Sequence, residues 1–102
     1  MIDKIKSAVI NGNIEWQKHA LERMLERGIA TNSVKEVLLT GDIIETYPTD
    51  KPYSSYLIAG IDGLEVFHVV VALDEKSEIC YIITAYRPDL KHFKSDLKTR
   101  RT

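Results

Sequence analysis

His19, Arg23 and Arg27 recur every four residues, a spacing that lines them up on one face of a helix. One imidazole and two guanidiniums are the donor set a phosphodiester site would use. The guanidiniums offer fixed N–H groups for nonbridging oxygens, and the ring titrates close to neutrality. The same spacing also describes a solvated helix face, with Glu22 and Glu26 balancing the arginines. A second candidate is His68, which interrupts the apolar run Val66-Phe67-His68-Val69-Val70-Val71. An imidazole in a covered strand must find partners for its nitrogens. On a strand it shares a face with Val66 and Val70. If the next strand pairs so that His68 lies opposite or diagonal to Thr84, Tyr86 comes to the same side and the three form a polar island. A slip of one residue would separate them, and a hydrogen-bonded core histidine is the alternative reading.

Other residues add less specific chemistry. Arg87 follows the last apolar run, where it would bind an anion at the sheet's end or cap a neighbouring loop. Tyr47, Tyr53 and Tyr56 surround a proline-bearing loop; rings so placed either stack on bases or pack as strand-edge residues. The three histidines lack close-spaced ligand partners, so neither a metal nor a cofactor is expected. Cys80 stands in no nucleophile motif, and no Gly-rich phosphate loop is present.

The elements that would position these groups follow from periodicity. Residues 1–11 read as a short amphipathic helix stopped by Gly12. Residues 14–16 read as a brief extended piece, and residues 18–27 as a second helix with Leu21, Met24 and Leu25 as its apolar stripe. Gly28 suits the left-handed stop of that helix. Thr31, or Ser33 with Glu36, would cap a third helix that ends at Gly41. Strands then take over at residues 43–47, 55–61, 64–72 and 79–86. Asp62-Gly63 makes a tight turn and residues 74–78 a charged connection. Pro88-Asp89 reads as a helix start, with Leu90, Phe93 and Leu97 as its buried stripe. The expected architecture is α+β: N-terminal helices on a four-stranded antiparallel sheet, with a C-terminal helix.

Length and composition bound the class. The 102 residues suit a single domain spanning 1–102, and 44% hydrophobic with 28% charged residues is ordinary for a globular chain. No apolar run approaches the ~20 residues a membrane span requires. One cysteine fits a reducing cytoplasm. Fourteen basic against fifteen acidic residues leave a net charge of −1, so any grip on nucleic acid must come from a local patch. The tail residues Lys98, Arg100 and Arg101 are basic but read as solvated.

Residues 18–29, Lys-His-Ala-Leu-Glu-Arg-Met-Leu-Glu-Arg-Gly-Ile, resemble the HAxxRMxERGI opening of a bacterial family labelled a domain of unknown function (DUF 4258). The likeness continues at residues 41–45, at Tyr47-Pro48 with residues 51–53, at residues 68–72 and at residues 82–88. Gln17 departs from the Ser or Thr helix cap that the family pattern leads one to expect. The resemblance implies a toxin of a type II toxin–antitoxin pair with a RelE/ParE-like layout. The implied activity is that of a metal-independent endoribonuclease or translation inhibitor acting on RNA, such as mRNA on the ribosome. Its implied partner is a small antitoxin of the zinc-binding CxxC or helix-turn-helix type. Under that resemblance His68 or His19 takes the acid/base role, and Arg23, Arg27 and Arg87 hold the phosphate. Tyr86 or Tyr53 stacks or hydrogen-bonds, and Thr84 and Tyr47 line the substrate site. The alternative is a noncatalytic protein-binding module, or a degenerate toxin that keeps the fold without the activity.

Overall fold

Apolar residues recur at helical spacing up to residue 40 and at strand density beyond it, and the chain folds along that division. The structure, a computed structural model, describes residues 1–101. Its helices are α1 (Ile2–Ile10), α2 (Lys18–Arg27) and α3 (Thr31–Thr40). Its strands are β1 (Ile14–Trp16), β2 (Asp42–Tyr47), β3 (Ser55–Asp62), β4 (Glu65–Asp74) and β5 (Ile79–Tyr86). The sheet order is β1-β5-β4-β3-β2. The four long strands form an antiparallel meander, whereas β1 pairs parallel to β5, with Ile14 beside Cys80 and Trp16 beside Ile82. The sheet is therefore five-stranded and mixed, which corrects the four-stranded antiparallel expectation. Three residues are too few to display alternation, so β1 left no periodic trace in the sequence.

All three helices cover one face of the sheet. Ile5, Ala8, Val34, Val37 and Leu38 pack there on Ile58, Phe67, Val69, Val71 and Ile82, burying the apolar surface that drives folding. Gly28 takes the left-handed conformation at φ 65°, which lets the Ile29 N–H donate back to the Met24 carbonyl at 2.9 Å and closes α2. Ala30, not Thr31 or Ser33, stands at the cap of α3 and provides no side-chain bond. The Ser33 hydroxyl instead donates to Asp62 at the end of β3, 2.6 Å away.

Helix α2 is rotated from the expected orientation. Ala20 and Met24 are buried, whereas Leu21 is 41% and Leu25 84% exposed. Met24 is buried as expected, and Ala20 takes the place of Leu21 and Leu25, so the buried line turns by less than the ~100° between adjacent residues. That rotation puts Arg27, three residues past Met24, on the line that faces β5.

Among the described residues no helix follows β5, a second correction, and the RelE/ParE-like layout falls with it. The Asp89 carboxylate accepts the backbone N–H groups of Lys91 and His92, and Asp96 accepts those of Lys98 and Thr99. Such local bonds offer the backbone an alternative to helix. Leu97 adopts φ 57°, and an isolated antiparallel bridge pairs Phe93 with Arg100. Residues 88–101 thus form an irregular strap across the helix-free face of the sheet, where Phe93, Leu57 and Ala59 are buried outside the main core. No helix among the described residues is long and apolar enough to cross a membrane.

The backbones of α3 and β3 meet at Gly41, where an added Cβ would lie 2.5 Å from the carbonyl oxygens of both Ala59 and Val37. Gly41→Ala is expected to cost about 2 kcal/mol, read as a fall of about 1 M in the urea midpoint. An unchanged midpoint would show that the α3–β3 approach is looser than this packing requires.

Candidate functional site

In the observed register His68 lies opposite Tyr86, and Val70 opposite Thr84. Thr84 is therefore diagonal to His68, and the three polar groups share the helix-free face. His68 Nε2 lies 2.6 Å from the Leu97 carbonyl oxygen and Nδ1 lies 3.2 Å from the Tyr86 hydroxyl. A carbonyl only accepts, so Nε2 carries the proton and Nδ1 accepts from the Tyr86 O–H. The ring also meets Phe93 edge-on, with centroids 4.6 Å apart. His68 is 0% exposed. Burial pushes its pKa down, against the opposing pull of the Leu97 carbonyl. Burial likewise raises the Tyr86 phenol, keeping it protonated. His68 is a neutral ring with both nitrogens occupied, and it reaches no ligand in this conformation.

The open chemistry lies directly beside it. A pocket of about 570 Å³ is lined by Arg27, Tyr86, Arg87, Asp89, His92, Phe93 and Arg100. Strand β1 ends at Trp16, so the last residues of β5 have a free edge, and Arg27 Nη1 fills it by donating to the Ala85 carbonyl at 2.8 Å and reaching the Thr84 hydroxyl at 3.4 Å. Arg87 caps the end of α2 by donating to the carbonyls of Arg27 and Gly28, pairs with Glu65 at 3.2 Å and lies over the Phe67 ring. Arg100 donates to Glu45 at 2.6 Å and lies over Phe93. Burial opposes ionisation of Glu45, yet hydrogen bonds from Tyr47 and Arg100 outweigh it and hold the carboxyl below its ordinary range. Among the described residues Arg27 has no carboxylate within ion-pair distance. Three guanidiniums line the pocket with one carboxylate, Asp89, while Glu65 and Glu45 pair with two of them, so Arg27 is the one left to suit an anion.

His92 brings a titratable ring to the same pocket. Its Nδ1 lies 2.8 Å from Asp89 Oδ1. That bond, together with backbone N–H donors, holds Asp89 below the usual carboxylate range. With Nδ1–H directed at the carboxylate, Nε2 is left as the basic nitrogen, and it has no partner among the described residues.

Several expected residues lie elsewhere. Arg23 pairs with Glu26 at 3.3 Å and does not reach the pocket. His19, beside Glu22 at 3.5 Å, lines a different pocket together with Tyr53. The Tyr47 hydroxyl donates to Glu45 behind Arg100, and Tyr56 is buried in the core. Arg27, Thr84, Tyr86 and Arg87 do come together. Sequence reasoning missed Arg100, His92 and Asp89. An Asp three residues before a His was the available signal, hidden by reading that segment as a helix. Burial pushes the Cys80 thiol up to about 12, so it offers no nucleophile. Among the described residues no three His, Cys, Asp or Glu side chains gather as a metal would require.

A family model described as "Domain of unknown function (DUF4258)" matches residues 16–87. No curated protein and no solved structure matches the chain. The matched span contains Arg27, His68, Thr84, Tyr86 and Arg87, and it stops just before the strap that supplies His92 and Arg100.

The buried ring has a measurable consequence. In the unfolded chain His68 titrates near 6.5, and in the fold its pKa is lower. Between those values the unfolded chain binds more protons, so this contribution to stability is complete above about 6.5 and is lost as pH falls below it. The urea midpoint is expected to fall between pH 7 and pH 5, above the carboxylate range. His68→Gln should be less stable throughout and lack that fall. An equal fall in the variant would assign the pH dependence to other groups.

Proposed function

The chain belongs to the family described as a domain of unknown function (DUF4258), and from its anion pocket we propose that it is an RNA-cleaving toxin of a type II toxin–antitoxin pair, working in the cytoplasm without a metal. The observation that supports this most directly is the convergence of Arg27, Arg87 and Arg100 on one open pocket beside Tyr86 and His92. An RNA phosphodiester fits such a set because a guanidinium offers charged N–H donors to nonbridging oxygens. Arg27, with no carboxylate partner, is the principal phosphate contact. Arg87 and Arg100, held in place by Glu65 and Glu45, add fixed positive charge as the pentacoordinate phosphorus gathers negative charge.

His92 takes the acid/base role first considered for His68 and His19. Its Nε2 removes the proton of a ribose 2′-hydroxyl, the 2′-oxygen bonds to the adjacent phosphorus, and the P–O5′ bond breaks. The departing oxygen takes its proton from water, which the open pocket admits. The products are a 2′,3′-cyclic phosphate and a 5′-hydroxyl. Asp89 holds the imidazole in the required tautomer and steadies the imidazolium. His68 works as a positioning residue, fixing Tyr86 and the strap beneath the pocket. The satisfied burial of His68 favours a second reading, in which the pocket binds RNA or a protein carboxylate without cutting.

Induced expression in bacteria separates these readings. Wild type should arrest growth and leave RNA fragments ending in 2′,3′-cyclic phosphate. Arg27→Ala should relieve the arrest, and His92→Gln should slow cleavage by about 10²–10⁴-fold while retaining RNA binding. Arrest by wild type and His92→Gln alike, without fragments, would leave a translation-blocking binder. A harmless wild type expressed at the same level would sink the toxin reading.

A further inference from the structure

Two residues with candidate chemistry, His19 and Tyr53, take no part in the arginine pocket. They line a second pocket of about 630 Å³, with Lys51, Asp50, Tyr81 and Ile83 among its walls. The Tyr53 and Tyr81 rings are half-buried there and stacked, with centroids 5.6 Å apart and planes 11° from parallel. Gln17 donates its backbone N–H to the Ile82 carbonyl, continuing the β1–β5 pairing and bringing the start of α2, with His19, to this rim.

The sheet's register places this second pocket on the same face as the first. Tyr81 and Tyr86 are five residues apart, an odd number, so on a regular strand they would point to opposite faces. The β4–β5 ladder carries an irregularity between Val70 and Val71, where the partner shifts from Thr84 to Ile82 and Ile83 is left over. That extra residue restores parity. Tyr81 lies opposite Ala72 and Tyr86 opposite His68, and Ala72 and His68 share a face of β4. The bulge leaves four ladder steps between the two tyrosines, about 13 Å along β5, with Thr84 and the Arg27 guanidinium between them.

We infer that the Tyr53–Tyr81 pocket is a base-stacking subsite for single-stranded RNA whose phosphate sits in the arginine pocket. This rests on the proposed function and deepens it. A pair of parallel rings, fixed by each other and open to solvent, provides a π-face that any base can stack on. Lys51 and His19 at the rim suit the flanking phosphates, against Asp50 in the lining, Glu22 beside His19 and Asp74 beside Tyr53. A separation of about 13 Å fits an oligonucleotide laid along β5 rather than one nucleotide. A base-paired duplex would hide the faces that the tyrosines need.

The test is fluorescence anisotropy with a labelled 2′-O-methyl pentaribonucleotide, which binds but offers no attacking hydroxyl, at several salt concentrations. Tyr81→Leu and Tyr53→Leu should each weaken binding about ten-fold or more with an unchanged salt slope, and Tyr81→Phe should stay within about two-fold of wild type. Arg27→Ala should instead flatten the slope by about one phosphate contact. Tyrosine variants that bind as tightly as wild type, while Arg27→Ala binds weakly, would overturn the stacking subsite and leave the phosphate pocket intact. If wild type bound no RNA, the function proposed above would fall. The subsite would then be judged by NMR with adenosine 5′-monophosphate: shifted Tyr53 and Tyr81 ring protons support it, and unmoved ones overturn it.

Discussion

A neutral imidazole on the helix-free side of the sheet must have both nitrogens satisfied, and that requirement organises this end of the molecule. Tyr86 satisfies one nitrogen of His68 from the neighbouring strand, and the Leu97 carbonyl satisfies the other from a segment that is neither helix nor strand. The strap's surface ion pairs, Lys98 with Asp42 and Arg100 with Glu45, are worth at most about 1 kcal/mol each. Burying the Phe93 side chain contributes about 2–3 kcal/mol, and leaving a buried ring nitrogen unpaired would cost about 1–3 kcal/mol. The interior contacts therefore hold the strap, and the exposed charges tune it. Since the strap carries His92 and Arg100, the ring that no ligand reaches determines where the reachable groups stand.

Strand parity is the second constraint. An antiparallel meander sorts every residue to one face or the other, and a single extra residue exchanges the faces for all that follow. The leftover residue in β5 lets Ala85, Ile82 and Cys80 all enter the helix-covered core, while Tyr81, Thr84 and Tyr86 stay together on the other side. The short β1 adds a further condition. By ending at Trp16 it covers only half of β5, and the exposed carbonyl of Ala85 then draws in Arg27. A β1 two residues longer would bond that edge itself and turn the guanidinium out to solvent.

Much of this was legible in the residues and some was not, for physical reasons. The bounds of α2 follow from its charged, alanine-bearing run and from Gly28, and the β4–β5 hairpin follows from two β-branched runs about a charged turn. The shared face of His68, Thr84 and Tyr86 was legible as a condition on register. The rotation of α2 was legible only in part: Met24 was in the expected stripe, but Ala20 flanks it as well as Leu21 and Leu25 do, and close approach to the sheet selects the smaller side chain. The C-terminal segment misled for a related reason. Leu90, Phe93 and Leu97 have helical spacing, but Asp89 and Asp96 capture the backbone donors a helix would need. Arg100 looked like a solvated tail residue because nothing local to it records its partner Glu45, fifty-five positions earlier.

A net charge of −1 and an anion pocket are compatible because of where the carboxylates stand. Glu65 and Glu45 lie against Arg87 and Arg100 from behind and orient two guanidiniums that free rotation would otherwise scatter. They lessen the long-range field while fixing the short-range geometry. Arg27 is held differently, by the neutral Ala85 carbonyl and the Thr84 hydroxyl, so its charge stays uncompensated at the point where the pocket opens. Beyond a Debye length of about 8 Å at physiological salt the molecule presents little net positive field. Within that distance a phosphate would meet fixed positive charge, with Arg27 the guanidinium free of a carboxylate. Such a site would select a ligand after contact, by shape and hydrogen bonding, rather than by attraction from afar.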